Sequence, residues 1–163
     1  MRSLSKVIFV LGCVSVLWSV QNGKGGISTE RDAAIEKAIL KVHSDMMKAA
    51  ENLDPDALFS HVLDMKKGVI VQDGKIMTTR QEALDGTRQG LQGLKSVSYK
   101  YGRKHITIIS PTVALWVADG TTSATILGSE DEISIEFAET ILFLKKEGQW
   151  KVLHAHRSIP NPR

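Results

Sequence analysis

The most constraining feature of this sequence is its second half, where strand-forming segments alternate with short turns from about residue 96 onward. β-Branched and aromatic residues are frequent in four segments, residues 96–109, 112–127, 132–145 and 150–158. The turn sequences between them lie at residues 110–111, 128–131 and 146–149. Long strands joined by short turns predict an antiparallel meander.

Helical patterns occupy the first half. Ser28, Thr29 and Asp32 form a helix-start signal for a helix running to about Asn52. Its apolar residues follow helical spacing, at Ile35, Ile39, Val42 and Met46. Further start signals are Asp54-Pro55 for a second helix and Thr79 with Glu82, a capping box, for a third.

The Asp73-Gly74 dipeptide lies between the last two helices and predicts a tight hairpin of two short strands. Helices first and a meander last indicate an α+β fold. We therefore expect helices packed on one face of a curved antiparallel sheet.

The N-terminus has the pattern of a secretory leader. Met1–Lys6 is basic, Val7–Val20 is uncharged and apolar, and residues 21–26 are polar and glycine-rich. The apolar run is shorter than the roughly 20 residues of a membrane-spanning helix. We predict a signal peptide and linker at residues 1–26, a single domain at 27–163, and a secreted or periplasmic location.

Two alternatives to a plain leader remain. The run could be a buried first helix, or Val10–Cys13 could be a bacterial lipobox, which it loosely resembles. Lipidation of Cys13 would then tether the protein to a membrane, a partner that the mature chain is otherwise not expected to have. Cys13 is the only cysteine, so no disulfide is predicted in the mature domain.

Charge and motifs exclude several classes of function. The formal net charge is +3, but Arg2 and Lys6 belong to the leader, and no basic patch suggests a nucleic-acid partner. The sequence has no glycine-rich phosphate loop and no G-x-S-x-G motif, and we expect no cofactor.

The C-terminal segment carries a family resemblance. Residues 147–158, EGQWKVLHAHRS, resemble the last hairpin of SnoaL-like domains in the nuclear transport factor 2 superfamily. They are also similar to the end of the association domain of calcium/calmodulin-dependent protein kinase II. The layout matches over roughly residues 29–160, and the residue-level match spans about 139–160. The resemblance implies a cone-shaped curved antiparallel sheet wrapped around the N-terminal helices. It also implies a pocket inside the cone and a homodimer formed through the sheet.

Arginines on three strands line the pocket of the kinase association domain. The resemblance places one of them on Arg157, whereas the other two positions hold Ile141 and Asp119 in this sequence. The arginine cluster of that relative, which binds anions, is therefore not expected here.

Charged residues interrupt apolar rows in three strands. Glu139 breaks a row of alternate residues whose other members are large and apolar: Ile133, Ile135, Phe137, Ile141 and Phe143. Asp119 ends a second row, Val113, Leu115 and Val117, and Arg157 shares a predicted face with Leu153 and Ala155. A buried charge needs a partner or a shifted pKa, so we expect these three side chains to converge.

Two interpretations of this cluster remain open: a buried salt bridge that holds the strands in register, or a site for a small molecule. For the site, we predict ligand-binding roles for Arg157, Glu139, Asp119, Tyr99 and His61. A carboxylate beside apolar walls would have a raised pKa, so Asp119 and Glu139 are candidate catalytic bases. The pair His154 and His156 is better explained by packing, and no metal site is predicted.

The sequence therefore favours an exported domain that binds a small, mostly apolar ligand. The alternative is an acid/base isomerase, cyclase or dehydratase similar to ketosteroid isomerase and the SnoaL-like enzymes. A third alternative is a purely structural dimer whose pocket is filled by side chains. Whether the protein is an enzyme stays open. Neither face of residues 113–118 is polar, which predicts a homodimer formed through the sheet.

Overall fold

A computed structural model describes residues 25–64, 69–72 and 74–160, so the predicted leader lies outside the described residues. The helices are α1 (Gly25–Glu51), α2 (Pro55–Phe59) and α3 (Arg80–Leu91). The strands are β1 (Val69–Gln72), β2 (Lys75–Met77), β3 (Leu94–Ser110), β4 (Val113–Ile126), β5 (Glu132–Lys146) and β6 (Gln149–Ser158). Within the described residues, no helix is long and apolar enough to cross a membrane.

The strands form one curved, unclosed sheet in the order β2-β1-β6-β5-β4-β3. All neighbours are antiparallel except β1 and β6, which run parallel. The α+β layout with N-terminal helices is confirmed. The parallel pair adds a feature that the meander does not predict, because it joins the early hairpin to the last strand.

The predicted starts of α2 and α3 are present, whereas α1 already begins at Gly25, before the predicted start signal at Ser28 and Thr29. The Asp54 side chain accepts a hydrogen bond from Ala57 N, with Pro55 at the first helical position of α2. Thr79 Oγ1 accepts from Glu82 N at 3.0 Å, and the Glu82 carboxylate accepts from Thr78 N at 2.8 Å. These bonds satisfy N–H groups that have no partner within the helix.

The core lies between the helices and one face of the sheet, called here the inner face. Its most buried large side chains are Ile39, Phe143, Trp116 and Val152. The buried residues of α1 include His43. The sequence pattern had assigned the neighbouring Val42 to the buried face, but Val42 is only partly buried. His43 lies four residues after Ile39 and three before Met46, so it belongs to the same helical stripe.

The prediction of which face of β4 is buried is wrong. Its buried residues are Ala114, Trp116 and Ala118, whereas Val117 of the predicted row is 40% exposed. The reason is the register with β5, which pairs Trp116 with Ile141 and Ala118 with Glu139. Directly paired residues share a face, so the even-numbered residues of β4 join the odd-numbered residues of β5.

The predicted row on β5 is buried over only part of its length. Its members from Phe137 to Phe143 are buried, including Glu139. Ile133 and Ile135 are 45% and 42% exposed, near the β4–β5 turn. The apolar pattern therefore extends beyond the region that is buried.

The predicted faces of β6 also need correction. Leu142 pairs with His154 while Phe143 pairs with Val152, a register shift that leaves Leu153 as an extra residue. Such a bulge moves the residues before it to the other face. Trp150 and Val152 are therefore buried on the same face as Ala155 and Arg157. Simple alternation along the strand would instead place them with His154 and His156.

Candidate ligand-binding site

A cavity of about 490 Å³ lies between the inner face of the sheet and the helices. Most of its lining is apolar, including Met46, Met47, Leu58, Phe59, Val62, Met77, Val97, Phe137, Ile141, Val152 and Ala155. Glu139 and Arg157 are together in this lining, and Tyr99 also lines the cavity. An apolar cleft with a few polar groups is the usual form of a small-molecule site.

Glu139 and Arg157 form a close ion pair. They are directly opposite each other on β5 and β6, and Arg157 Nη2 donates to Glu139 Oε2 at 2.9 Å. The Glu139 side chain is 5% exposed and that of Arg157 is 22% exposed. The predicted buried salt bridge between these strands is therefore present, and it lies in the cavity wall.

Three more donors hold the other oxygen of Glu139. Its Oε1 accepts hydrogen bonds from Tyr101 Oη at 2.9 Å, Trp116 Nε1 at 3.1 Å and His43 Nε2 at 3.2 Å. An ionised carboxylate only accepts, so the Nε2 of His43 carries the proton. These donors come from β3, β4 and α1, and the His43 ring stacks on Trp116 at a centroid distance of 4.0 Å.

These contacts control the ionisation of Glu139. Burial alone would raise the pKa of its carboxyl, but the His43 hydrogen bond and the charge of Arg157 outweigh burial and lower the pKa to about 2. The expected raised pKa of this carboxylate is therefore wrong. Glu139 is therefore ionised at neutral pH, and its low pKa makes it a weak general base. Burial and the charge of Glu139 raise the pKa of Tyr101.

Arg157 is held by aromatic rings as well as by its ion pair. Its guanidinium carbon lies 4.5 Å from the centroid of Phe137 and 5.3 Å from that of Tyr99. A planar guanidinium stacks well on such rings, and this restricts its orientation. The structure therefore brings Tyr99 together with Glu139 and Arg157.

Asp119 does not join this cluster. It pairs with Ala138, one residue before Glu139, so its side chain lies on the outer face of the sheet. There it accepts from Arg103 N and Arg103 Nε, both at 2.7 Å. These bonds lower the pKa of Asp119. The expectation that all three charged residues converge is wrong, because adjacent strand residues point to opposite faces.

His61 is also outside the cavity lining. It follows α2, and its backbone carbonyl accepts from Val152 N at 2.8 Å. Burial lowers the pKa of its imidazole. Its ligand-binding role stays a prediction that no contact in the cavity supports. Among the described residues, no group of three or more His, Cys, Asp or Glu side chains could hold a metal ion.

Sequence reasoning missed two of the four donors to Glu139, His43 and Trp116. Tyr101 shares a face of β3 with Tyr99, and for this pair the pattern left open whether they supply a hydroxyl to a pocket or simply pack. A signal existed for His43, which continues the spacing of Ile35 and Ile39 along α1. A buried tryptophan also needs an acceptor for its indole N–H. Choosing Glu139 as that acceptor required the β4–β5 register, which the apolar pattern of β4 did not reveal because both of its faces are apolar.

The fold and cavity define a class of small α+β domains in which a cone of sheet and helices encloses a mostly apolar site. Within this class, the chain belongs to the SnoaL-like domain family, whose model matches residues 39–162. No curated protein sequence matches the chain significantly.

Solved structures with the same fold come from several bacteria. A protein provisionally named as a scytalone dehydratase from Novosphingobium aromaticivorans is 14% identical with a TM-score of 0.74, over 82% of this chain and 89% of that one. The hexachlorocyclohexane dehydrochlorinase LinA-type3 from Novosphingobium barchaimii is 15% identical with a TM-score of 0.69, over 82% and 91%. A nuclear transport factor 2-like superfamily protein from Salmonella enterica is 12% identical with a TM-score of 0.72, over 80% and 94%. At these identities, the similarity shows the fold alone.

Proposed function

We propose that this protein is a binding domain for a small, mostly apolar molecule, which occupies the cavity beside Glu139 and Arg157. The observation that carries the proposal is the Glu139–Arg157 ion pair in the wall of a mostly apolar cavity of about 490 Å³. A cavity of this size accommodates a ligand of one or two rings. Burial of its apolar surface would drive binding.

The state of Glu139 favours binding over acid/base catalysis. Four hydrogen bonds hold its carboxylate, and its pKa of about 2 leaves little tendency to take a proton at neutral pH. A general base works best when its pKa is near the working pH. Asp119, the other candidate base, lies on the outer face of the sheet. The names of the dehydratase and the dehydrochlorinase do not outweigh this geometry, since those structures are only 14% and 15% identical.

A neutral fluorescent dye tests the binding function. N-phenyl-naphthylamine becomes brighter in apolar surroundings, so we expect a saturable rise in its fluorescence with one site per chain. Ala155→Leu places a larger side chain in the cavity wall and should weaken binding severalfold, because it takes volume from the ligand. Ala138→Leu is the matched control, since Ala138 lies on the outer face of the sheet.

Two outcomes of the dye experiment would contradict the proposal. Absence of saturable binding to the wild-type protein would reject an accessible apolar site. Equal loss of binding in both alanine variants would place the dye somewhere other than the cavity. Circular dichroism of each variant ensures that the comparison is made between folded proteins.

We also propose that the binding domain acts outside the cytoplasm. The support is the leader pattern of residues 1–26, which predicts a mature chain that begins between about residues 19 and 27. N-terminal sequencing of secreted or periplasmic material tests this proposal. An intact Met1 on protein from the cytosol would reject it.

The proposed assembly is a homodimer through the outer face of the sheet. Apolar side chains on β3 and β4 support it, since Ile109 is 58% exposed and Val117 is 40% exposed. Covering such residues with a second copy removes apolar surface from water. Light scattering at micromolar concentration should give about twice the monomer mass, and a monomer mass would reject the dimer.

A further inference from the structure

The charged end of the cavity, formed by Glu139 and Arg157, contains a carboxylate that is hydrogen-bonded on both oxygens. Glu139 receives four hydrogen bonds, from His43, Tyr101, Trp116 and Arg157. Three of these bonds reach Oε1 and one reaches Oε2, so Oε2 keeps acceptor capacity, but the side chain is only 5% exposed and gives a ligand little access to it. A donor group on a ligand therefore finds little accessible acceptor capacity on Glu139.

The donor groups of Arg157 are in the opposite situation. A guanidinium has about five N–H donors. Among the described residues, the structure gives Arg157 one hydrogen-bond partner, Glu139. Asp32 Oδ1 is the one described polar side-chain atom that is fully buried without a hydrogen-bond partner. The nitrogen atoms of Arg157 that lack a partner are thus not sealed off, and the side chain lines the cavity with 22% of its surface exposed.

The charges of the pair cancel at this end. Glu139 is ionised and lies 2.9 Å from the guanidinium, so a ligand anion near Arg157 also meets the carboxylate. The anion would lose its hydration without a compensating net positive charge. A ligand cation would meet the guanidinium and a carboxylate that is already hydrogen-bonded. A neutral acceptor, such as a carbonyl oxygen, has a much smaller desolvation cost and can still accept from Arg157.

We propose that the charged end selects apolar ligands that carry a neutral hydrogen-bond acceptor, such as a ketone, over the corresponding carboxylates and amines. This inference rests on the proposed binding function and adds the chemical class of the ligand. Glu139 acts as a positioning residue, because it fixes the guanidinium through its own three further hydrogen bonds. Arg157 is the residue that contacts the ligand.

Four naphthalene derivatives test the selection in the full mature chain by isothermal titration at neutral pH. They are the methyl ketone, the carboxylate, the aminomethyl compound and the ethyl compound. The ring system is constant, so the series isolates the substituent. We expect the ketone to bind more tightly than the two charged compounds, and the ethyl compound to bind through its apolar surface alone.

Variants then assign the preference to Arg157. Arg157→Met should weaken ketone binding about tenfold, the effect of losing a hydrogen bond to a charged donor, and should change binding of the ethyl compound much less. Arg103→Met is the matched control, since it removes an arginine from the ion pair with Asp119 on the outer face. It should leave both affinities unchanged. Should Arg157→Met fail to fold, the order of the four probes on the wild-type protein still decides the question.

The outcomes separate the two proposals. Tighter binding of the carboxylate than of the ketone would overturn the inference and make Arg157 an anion receptor. The ethyl compound could bind while Arg157→Met weakens binding of the ketone and of the ethyl compound equally. That result would overturn the inference but leave the proposed binding function standing. If none of the four compounds binds, the proposed function itself fails.

Discussion

Two ion pairs on opposite faces of the same sheet show how differently one chain can use an arginine and a carboxylate. The Glu139–Arg157 pair on the inner face has side chains that are 5% and 22% exposed. The Asp119–Arg103 pair on the outer face has side chains that are 34% and 86% exposed. Their carboxylates lie on neighbouring strands in adjacent registers, since Ala118 pairs with Glu139 and Asp119 with Ala138.

The outer pair serves the local backbone. The register between β3 and β4 shifts between Tyr101 and Lys104, and Asp119 accepts from the backbone N of Arg103 within this bulge. A Cβ atom added to Gly102 would lie 2.6 Å from Asp119 Oδ1, so glycine permits this close approach. The inner pair instead joins side chains from α1, β3, β4, β5 and β6. Burial of the carboxylate, more than the distance within its ion pair, therefore decides how many helices and strands contact it.

The first prediction breaks the inner pair. Glu139→Ala leaves Arg157 without its partner and removes the acceptor of three further donors, two of which are buried. We expect the free energy of unfolding to fall by about 3–5 kcal/mol, as for other buried pairs that lose one member. Denaturant unfolding measures the change. Asp119→Ala is the control on the outer face and should cost clearly less, because water can solvate Arg103. Equal losses in the two variants would contradict the distinction between the faces.

The second prediction uses acid to remove the charge of Glu139. Its pKa is lowered from a usual value of 4.5 to about 2 in the folded protein, so the folded state favours the ionised form. The resulting stability is present above pH 4.5 and is lost as the pH falls toward 2. The shift of the pKa from 4.5 to about 2 corresponds to about 3 kcal/mol in the free energy of unfolding.

Glu139→Gln should therefore be less stable than the wild-type protein at neutral pH, and the gap should narrow as the pH falls through this range. Unfolding curves at several pH values measure the gap. Asp119→Asn is again the control, because the pKa of Asp119 is also lowered but its side chain is partly exposed. A gap for Glu139→Gln that stays constant with pH would contradict the lowered pKa.

Much of the fold was predictable because its signals are local. Helix caps such as Thr79 with Glu82 involve residues within one helical turn. The long strands are recognisable from residue composition over ten or more positions. The faces of β4 were not predictable in this way. Ala114, Trp116 and Ala118 alternate with Val113, Leu115 and Val117, so both rows are apolar and only pairing with β5 distinguishes them.

Part of the candidate site was predictable because it also has a local signal. The contrast between Glu139 and its apolar neighbours on β5 identified a buried charge, and the family resemblance identified Arg157. The pKa of Glu139 could not follow from that contrast, because burial and hydrogen bonding shift it in opposite directions. The donors that decide the direction come from residues up to 96 positions away in the sequence.

Two tyrosines on β3 differ in whether their hydroxyl groups contact the buried carboxylate of Glu139. Tyr101 Oη donates to Glu139 Oε1 at 2.9 Å, whereas the hydroxyl of Tyr99 has no hydrogen bond to a described residue. Tyr101→Phe keeps the ring and removes one donor to the carboxylate. We expect a loss of about 1–2 kcal/mol in the free energy of unfolding, because His43 and Trp116 still hold the same oxygen. Tyr99→Phe should change it by less than about 0.5 kcal/mol. If thermal and denaturant unfolding give the same loss for both variants, the hydroxyl of Tyr101 does not stabilise the buried charge, and the network around Glu139 is weaker than its distances indicate.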